Sequence, residues 1–367
     1  MEALLAALFD SLSSSSRPDV SRVDELSLFW SPLFCCCAFF AVTLREYALD
    51  PIQCWAPAQF SEAEGWEEYV ENYCFVENTY FLNWTEAVPE EKRDRERRQI
   101  TYYQWVPFFF AAQALLLHLP LPLWRFTQRL FNMPLKELVD SVASVEGKEV
   151  ESATEEAALH LYQHLGYHKR RLNLWQAYIA FKVLLLLNIA LAVVAMRGFF
   201  GLPTLWGHEI LGGLWRESAW KYSGHFPRTT FCDFQVRNLG NVINFTVQCV
   251  LMVNMINEKL AIFFFWWYLF VFAASILGLC RHLCQCRSPI NPYQLVNTHL
   301  HATKQHPMRI KAELFAARLG RAECLTLALM SANAGAIRTG RVVRALFAVW
   351  LRQGSQHSPQ IYYPSLQ

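Results

Sequence analysis

The sequence predicts an all-α membrane protein. Its core is a four-transmembrane-helix bundle, with disulfide-stapled extracellular loops that fold as a small α/β outer domain and with a helical cytosolic domain. Three observations predict this. The 367 residues are 53% apolar and 17% charged, too greasy for a disordered or nucleic-acid-binding chain. The 33 Lys and Arg offset the 31 Asp and Glu to a net charge of +2, so bulk charge names no partner, yet their positions are strongly asymmetric. Third, the cysteines and glycosylation sequons sort with the loops that the asymmetry places outside.

The elements follow in order. Residues 1–27 begin MEALLAALFDSLSSSS, with an acid at position 2 and no basic segment ahead of an apolar one. No cleavable signal peptide is expected, and the N-terminus is expected in the cytosol. Leu4, Leu5, Leu8, Phe9 and Leu12 recur at helical spacing, the pattern of an amphipathic helix on the inner leaflet. The Ser13–Ser16 run reads as a linker. The first span, residues 28–45, carries Cys35, Cys36 and Cys37, expected as small packing residues.

Residues 46–105 form the first outer loop and 106–124 the second span. Pro107, Pro120 and Pro122 each remove a helical hydrogen bond there and kink the axis, and His118 is expected as a buried neutral imidazole. Residues 125–174 form a cytosolic loop with helical periodicity over 155–167. The third span is 175–196. Lys182 lies about 10 Å past Trp175 along that helix, near enough to the end to snorkel toward headgroups. Residues 197–259 are the second outer loop, 260–280 the fourth span, and 281–367 a helical cytosolic tail. Apolar faces alternate with basic residues over 309–350, suited to an acidic leaflet or a positive vestibule. From about Gly354 the chain is expected to be unstructured.

Orientation follows the basic residues, which are enriched on the cytoplasmic side. The termini and the middle loop together hold 20 Lys and Arg, the outer stretches 46–102 and 197–258 hold 10, and the first of these adds 13 acids. Of eleven cysteines, Cys54 and Cys74 fall in the first outer loop and Cys232 and Cys249 in the second. Disulfides persist outside the cell, and these four allow three pairings. Both sequons, at Asn83 and Asn244, lie in the same loops, where N-glycans attach.

Enzyme chemistry finds no support, because no phosphate-cradling loop, HExxH or GxSxG occurs. No catalytic residue, cofactor or nucleic-acid partner is assigned. The Cys280-Arg281-His282-Leu283-Cys284-Gln285-Cys286 cluster lacks the second knuckle of a structural zinc site, so no metal is assigned. Gly213-Leu214-Trp215 resembles an adhesion-protein motif without its cysteine pattern, and cysteine pairs in both loops favour a channel.

Specific strings now carry a resemblance. Asp50-Pro51-Ile52-Gln53-Cys54-Trp55, then Tyr102-Tyr103-Gln104-Trp105-Val106-Pro107-Phe108 with Gln113-Ala114, are similar to the innexin family of gap-junction proteins. Further matches are Lys182, Asn188, Phe226-Pro227-Arg228, Cys232-Asp233-Phe234, Asn257-Glu258-Lys259 and the turn Ser331-Ala332-Asn333-Ala334-Gly335. Pro120 matches a family proline, and Pro122 is an addition.

The resemblance implies a homo- or hetero-oligomer with other innexins, commonly an octamer, around a wide pore in the plasma membrane. Such a hemichannel docks with an opposed one at a gap junction and passes ions and small metabolites passively. It further implies disulfides Cys54 with Cys249 and Cys74 with Cys232. Its N-terminal helix enters the pore mouth, where Leu5 and Phe9 would set the bore and Glu2 and Asp10 would favour cations. The alternatives are an undocked plasma-membrane hemichannel or a four-span adhesion protein.

Overall fold

The computed structural model describes residues 19–56, 66–83, 85–143, 149–164, 174–203, 224–287, 296–297 and 306–356. Glu2, Leu5, Phe9 and Asp10, the Ser13–Ser16 run, Gly213–Trp215 and residues 357–367 lie outside them. The chain divides into two compact units, one from Met1–Phe29, Leu119–Leu186 and Ala274–Gln367, the other from Trp30–His118 and Leu187–Ala273.

Helix α1 (Arg22–Tyr47) opens with a capping box in which Ser21 and Asp24 satisfy each other's backbone N–H groups, then passes through a π-helical turn at Leu26–Trp30. Strand β1 (Ile52–Trp55), helix α2 (Trp66–Glu77), strand β2 (Thr79–Tyr80), the short helix α3 (Lys92–Glu96) and strand β3 (Gln99–Ile100) follow. A 3₁₀ turn at Tyr103–Trp105 leads into α4 (Val106–His118), and α5 (Pro120–Leu130) restarts after Leu119.

That break has a plain cause. Pro120 has no N–H for the Leu116 carbonyl, and a bare carbonyl among apolar helices costs several kcal/mol. The Asn188 side chain donates to it at 2.8 Å. Helices α6 (Leu135–Ala143), α7 (Glu149–His164) and α8 (Leu174–Phe200) precede strands β4 (Thr229–Asn238) and β5 (Asn241–Leu251). Helix α9 (Met252–Arg287) follows, and α10 (His306–Arg318), α11 (Arg321–Asn333) and α12 (Ala336–Gln356) end the described chain.

Among the described residues, four helical runs are long and apolar enough to cross a membrane: Arg22–Tyr47, Tyr103–Leu130, Leu174–Phe200 and Met252–Cys284. Helix α12 runs to Gln356, and the rest of the end expected to be unstructured lies outside the described residues.

The second unit holds a five-stranded antiparallel sheet in the order β1-β5-β4-β2-β3. Cys54 sits opposite Cys249 and Phe234 opposite Phe245, whose rings stack at 5.3 Å. Toward its Leu239–Gly240 turn the β4–β5 hairpin runs as a ribbon with no third strand among the described residues. Leu239 is fully exposed there and takes a positive φ of 54°.

In the first unit, α6, α7, α10, α11 and α12 bury Val139, Leu161, Phe315, Leu329 and Leu346 in one core. On α12, Val342, Val343, Leu346 and Phe347 are buried at the spacing of one helical face.

Candidate functional site

The stapled sheet is built from the motif residues upward. Cys54 of β1 is bonded to Cys249 of β5, and Cys74 of α2 to Cys232 of β4. One bridge ties an edge strand to the sheet, the other ties a helix onto its face. The Sγ atoms of Cys54, Cys74 and Cys249 lie within 4.8 Å of one another; each is in a disulfide, so none is the thiolate that holds a metal. Cys35, Cys36, Cys37, Cys280, Cys284 and Cys324 are outside any disulfide.

Residues 102–104 hold the segments that flank this sheet. The α2 helix stops at Asn78, which takes a positive φ of 77°, the usual conformation just past a helix C-terminus. Its last carbonyls have no helical donor. The Gln104 amide donates to the carbonyls of Phe75 and Val76 and to Asn78 Oδ1, while the Tyr103 hydroxyl donates to Phe75 at 3.1 Å. Tyr102 reaches the other way, its hydroxyl 2.9 Å from the His225 carbonyl and 3.2 Å from Asn254 Oδ1. Burial raises its phenol well above the ordinary tyrosine range. Pro107 is buried and Trp105 exposed. The motif is therefore a splice between the two loops.

Asp233 gathers Tyr80, Thr246 and Arg95 at 3.1, 2.7 and 3.2 Å. Burial first, and Asp233 beside it, push the Tyr80 phenol up to about 12. Glu71 Oε1 accepts the Cys54 N–H at 3.1 Å, filling a backbone donor on the sheet's edge strand. Burial and the charges of Glu67, Asp50 and Glu68 raise its carboxyl. Arg228 pairs with Glu258 at 3.0 Å. Asn83 is exposed after β2, and Asn244 is exposed on β5 within the ribbon.

Four apolar helices of the same unit meet at Gln113. Its Nε2 donates to the Ala192 carbonyl at 3.0 Å, and its Oε1 accepts from Tyr268 at 2.7 Å. The Cys35 sulfur lies 3.3 Å from the Tyr268 hydroxyl. Cys35 is thus a member of a polar cluster rather than plain apolar packing; an apolar environment forces each polar atom to find a protein partner. His118 is half-buried rather than buried as expected, because it ends α4 where the helix is interrupted.

In the first unit Lys182 does not snorkel. It is 3% exposed and its Nζ lies 2.7 and 2.9 Å from the two oxygens of Asp24, itself 2% exposed. A carboxylate within reach removes the drive toward headgroups. Tyr178 donates to the same carboxylate at 3.0 Å. Nearby, Trp124 donates to the Asp19 carbonyl at 3.1 Å, Arg125 pairs with the Asp19 carboxylate at 3.3 Å, and Asn333 donates to the Val20 carbonyl at 3.3 Å. Residues 19–24 are held from three sides. Asp19 and Asp24 escaped the sequence reading; an acid in a Ser-x-x-Asp capping box, with an intramembrane lysine elsewhere in the chain, was the available signal.

Four membrane-length helices among the described residues, together with a doubly disulfide-bonded sheet, define a multi-pass membrane protein. A family model described as Innexin matches residues 21–350. Among curated relatives, Innexin unc-9 of Caenorhabditis elegans is 36% identical over 284 residues, covering 71% of this chain and 73% of the relative. Innexin-17 of the same organism is 34% identical over 277 residues, 72% and 75% of the two chains. Innexin-16 is 36% identical over 259 residues, 69% and 68%. The chain belongs to the innexin family and is a gap-junction channel subunit.

Proposed function

We propose that this subunit assembles as an octameric ring, alone or with other innexins, with both termini cytosolic and the stapled sheet outside the cell. Two such rings on apposed cells dock through the β4–β5 ribbon and pass ions and small metabolites passively. The observation that carries this reading is redox asymmetry. Cys54, Cys74, Cys232 and Cys249 are all oxidised, whereas Cys35, Cys36, Cys37, Cys280, Cys284 and Cys324 are outside any disulfide, as expected of a chain divided between oxidising and reducing compartments.

The ribbon suits docking because its turn projects a fully exposed Leu239 and, among the described residues, its edges lack a third strand. Unpaired edges are templates for another chain. Asn244 lies on this ribbon, and a glycan there would obstruct an opposed ring, biasing the protein toward undocked hemichannels.

Junctional conductance between paired cells expressing only this chain, with single-cell current and dye uptake in the same preparation, tests the reading. Coupling is expected, and Asn244→Gln is expected to raise it. Single-cell current without coupling in either form overturns docking; unaltered coupling in Asn244→Gln overturns the glycan bias.

A further inference from the structure

The end of α9 carries two exposed thiols that subunit assembly leaves unexplained. Phe263, Trp266, Phe270, Leu277, Cys280 and Cys284 are all exposed and recur at intervals of three, four or seven residues, which places them on one stripe of a 3.6-residue helix. The stripe is apolar through Leu277 and ends in the two cysteines. Counted from Leu260, Cys280 lies about 30 Å along the helix, the thickness of the hydrocarbon core, and Cys284 one turn beyond. Arg281, exposed between the two cysteines, supplies a positive charge that acidic headgroups match. Cys35 is buried, and Cys37, although exposed, lies mid-way along α1, out of reach of an interfacial reagent.

We propose that Cys280 and Cys284 are S-acylation sites for a long-chain fatty acyl group. The cysteine sulfur, having given up its proton, attacks the carbonyl carbon of a long-chain acyl-coenzyme A. The acyl bond to the coenzyme sulfur breaks, a thioester to the cysteine forms, and coenzyme A leaves as the thiol carrying the proton. No oxidant or reductant enters. The attached chain then lies back along Leu277 and fixes the depth of the α9 end. The inference rests on the cytosolic placement of this end, where acyl-coenzyme A is found.

The test is acyl exchange on the full chain from cultured cells. Free thiols are blocked, hydroxylamine cleaves thioesters, and a polyethylene-glycol maleimide adds one mass step per freed thiol. Two steps are expected in the parent and in Cys286→Ser, one in Cys280→Ser or Cys284→Ser, and none in the double variant. Surface biotinylation checks that the variants reach the plasma membrane, and if the double variant does not, the two single variants decide. A parent without hydroxylamine-dependent steps, or variants that keep two, overturns the proposal. A C-terminal epitope stained with and without permeabilisation separates the causes. Staining of intact cells would overturn the sidedness and the acylation together; staining only after permeabilisation, with no mass step, overturns acylation alone.

Discussion

The sheet of the second unit contains strands of two, two, four, ten and eleven residues, and its order comes from specific bonds. Two disulfides, the Gln104 and Tyr103 caps and the Asp233 cluster each fix one piece to another. The helical cluster of the first unit instead buries a continuous apolar core, with Phe315 5.3 Å from Phe347 and 5.7 Å from Trp350, and adds one buried ion pair. Strands of two to four residues fix little of the chain by their own pairing, so covalent closure offsets part of the chain entropy. Helices with amphipathic stripes need none. The contrast predicts that the sheet responds to reductant and the helical cluster to changes in packing or buried charge.

The largest expected effect is Lys182→Met. It strands the Asp24 carboxylate in a site where it is 2% exposed, and removing one partner of a buried pair costs about 3–5 kcal/mol. Thermal unfolding of the detergent-solubilised protein measures it, and Asp24→Asn combined with Lys182→Met is expected to recover part of the loss. Additive losses would mean that the two residues do not act as a pair. Next, Cys74→Ser with Cys232→Ser is expected to cost the sheet about 2–5 kcal/mol. Limited proteolysis should then cut the outer loops while sparing α10–α12; equal sensitivity of both regions would erase the contrast.

Smaller is Gln113→Leu, which breaks the contacts to Ala192 and Tyr268. Membrane hydrogen bonds average about 0.6 kcal/mol and reach about 1.7 kcal/mol, so a loss in that range is expected from the same melting measurement. The smallest is a pH slope. Glu71 holds its proton more tightly folded than unfolded because burial raises its carboxyl. Its contribution is therefore present below the ordinary carboxylate range and is lost as pH rises through the raised value. Glu71→Gln is expected to flatten that slope in melts across the acidic range, and an unchanged slope would assign it to another group.

The four spans were legible because about 20 apolar residues in succession have few other uses, and the two disulfide-bearing loops were legible from the pair of cysteines that each carries. The polar pairings were not. Asp24 and Lys182 are 158 residues apart, and Gln113 and Tyr268 155, so nothing local connects them. Asn188 had a readable cause in hindsight, since Pro120 necessarily leaves the Leu116 carbonyl without its helical donor, but which side chain answers it depends on how the helices pack. The Tyr102-Tyr103-Gln104-Trp105 string identified the family without revealing that it caps α2. Hydropathy also marks only the apolar part of a helix, and α9 runs on to Arg287 through a segment rich in cysteine and arginine.

The most direct test of a disulfide-built sheet facing the cell exterior is thiol mapping on intact cells with a membrane-impermeant maleimide, before and after an impermeant reductant, read by peptide mass spectrometry. The account predicts Cys54–Cys249 and Cys74–Cys232 linked peptides, with label entering those four positions only after reduction and not entering Cys280, Cys284 or Cys324. Label on any of the four without reduction, a Cys54–Cys74 link, or label on Cys280, Cys284 or Cys324 of intact cells would contradict it.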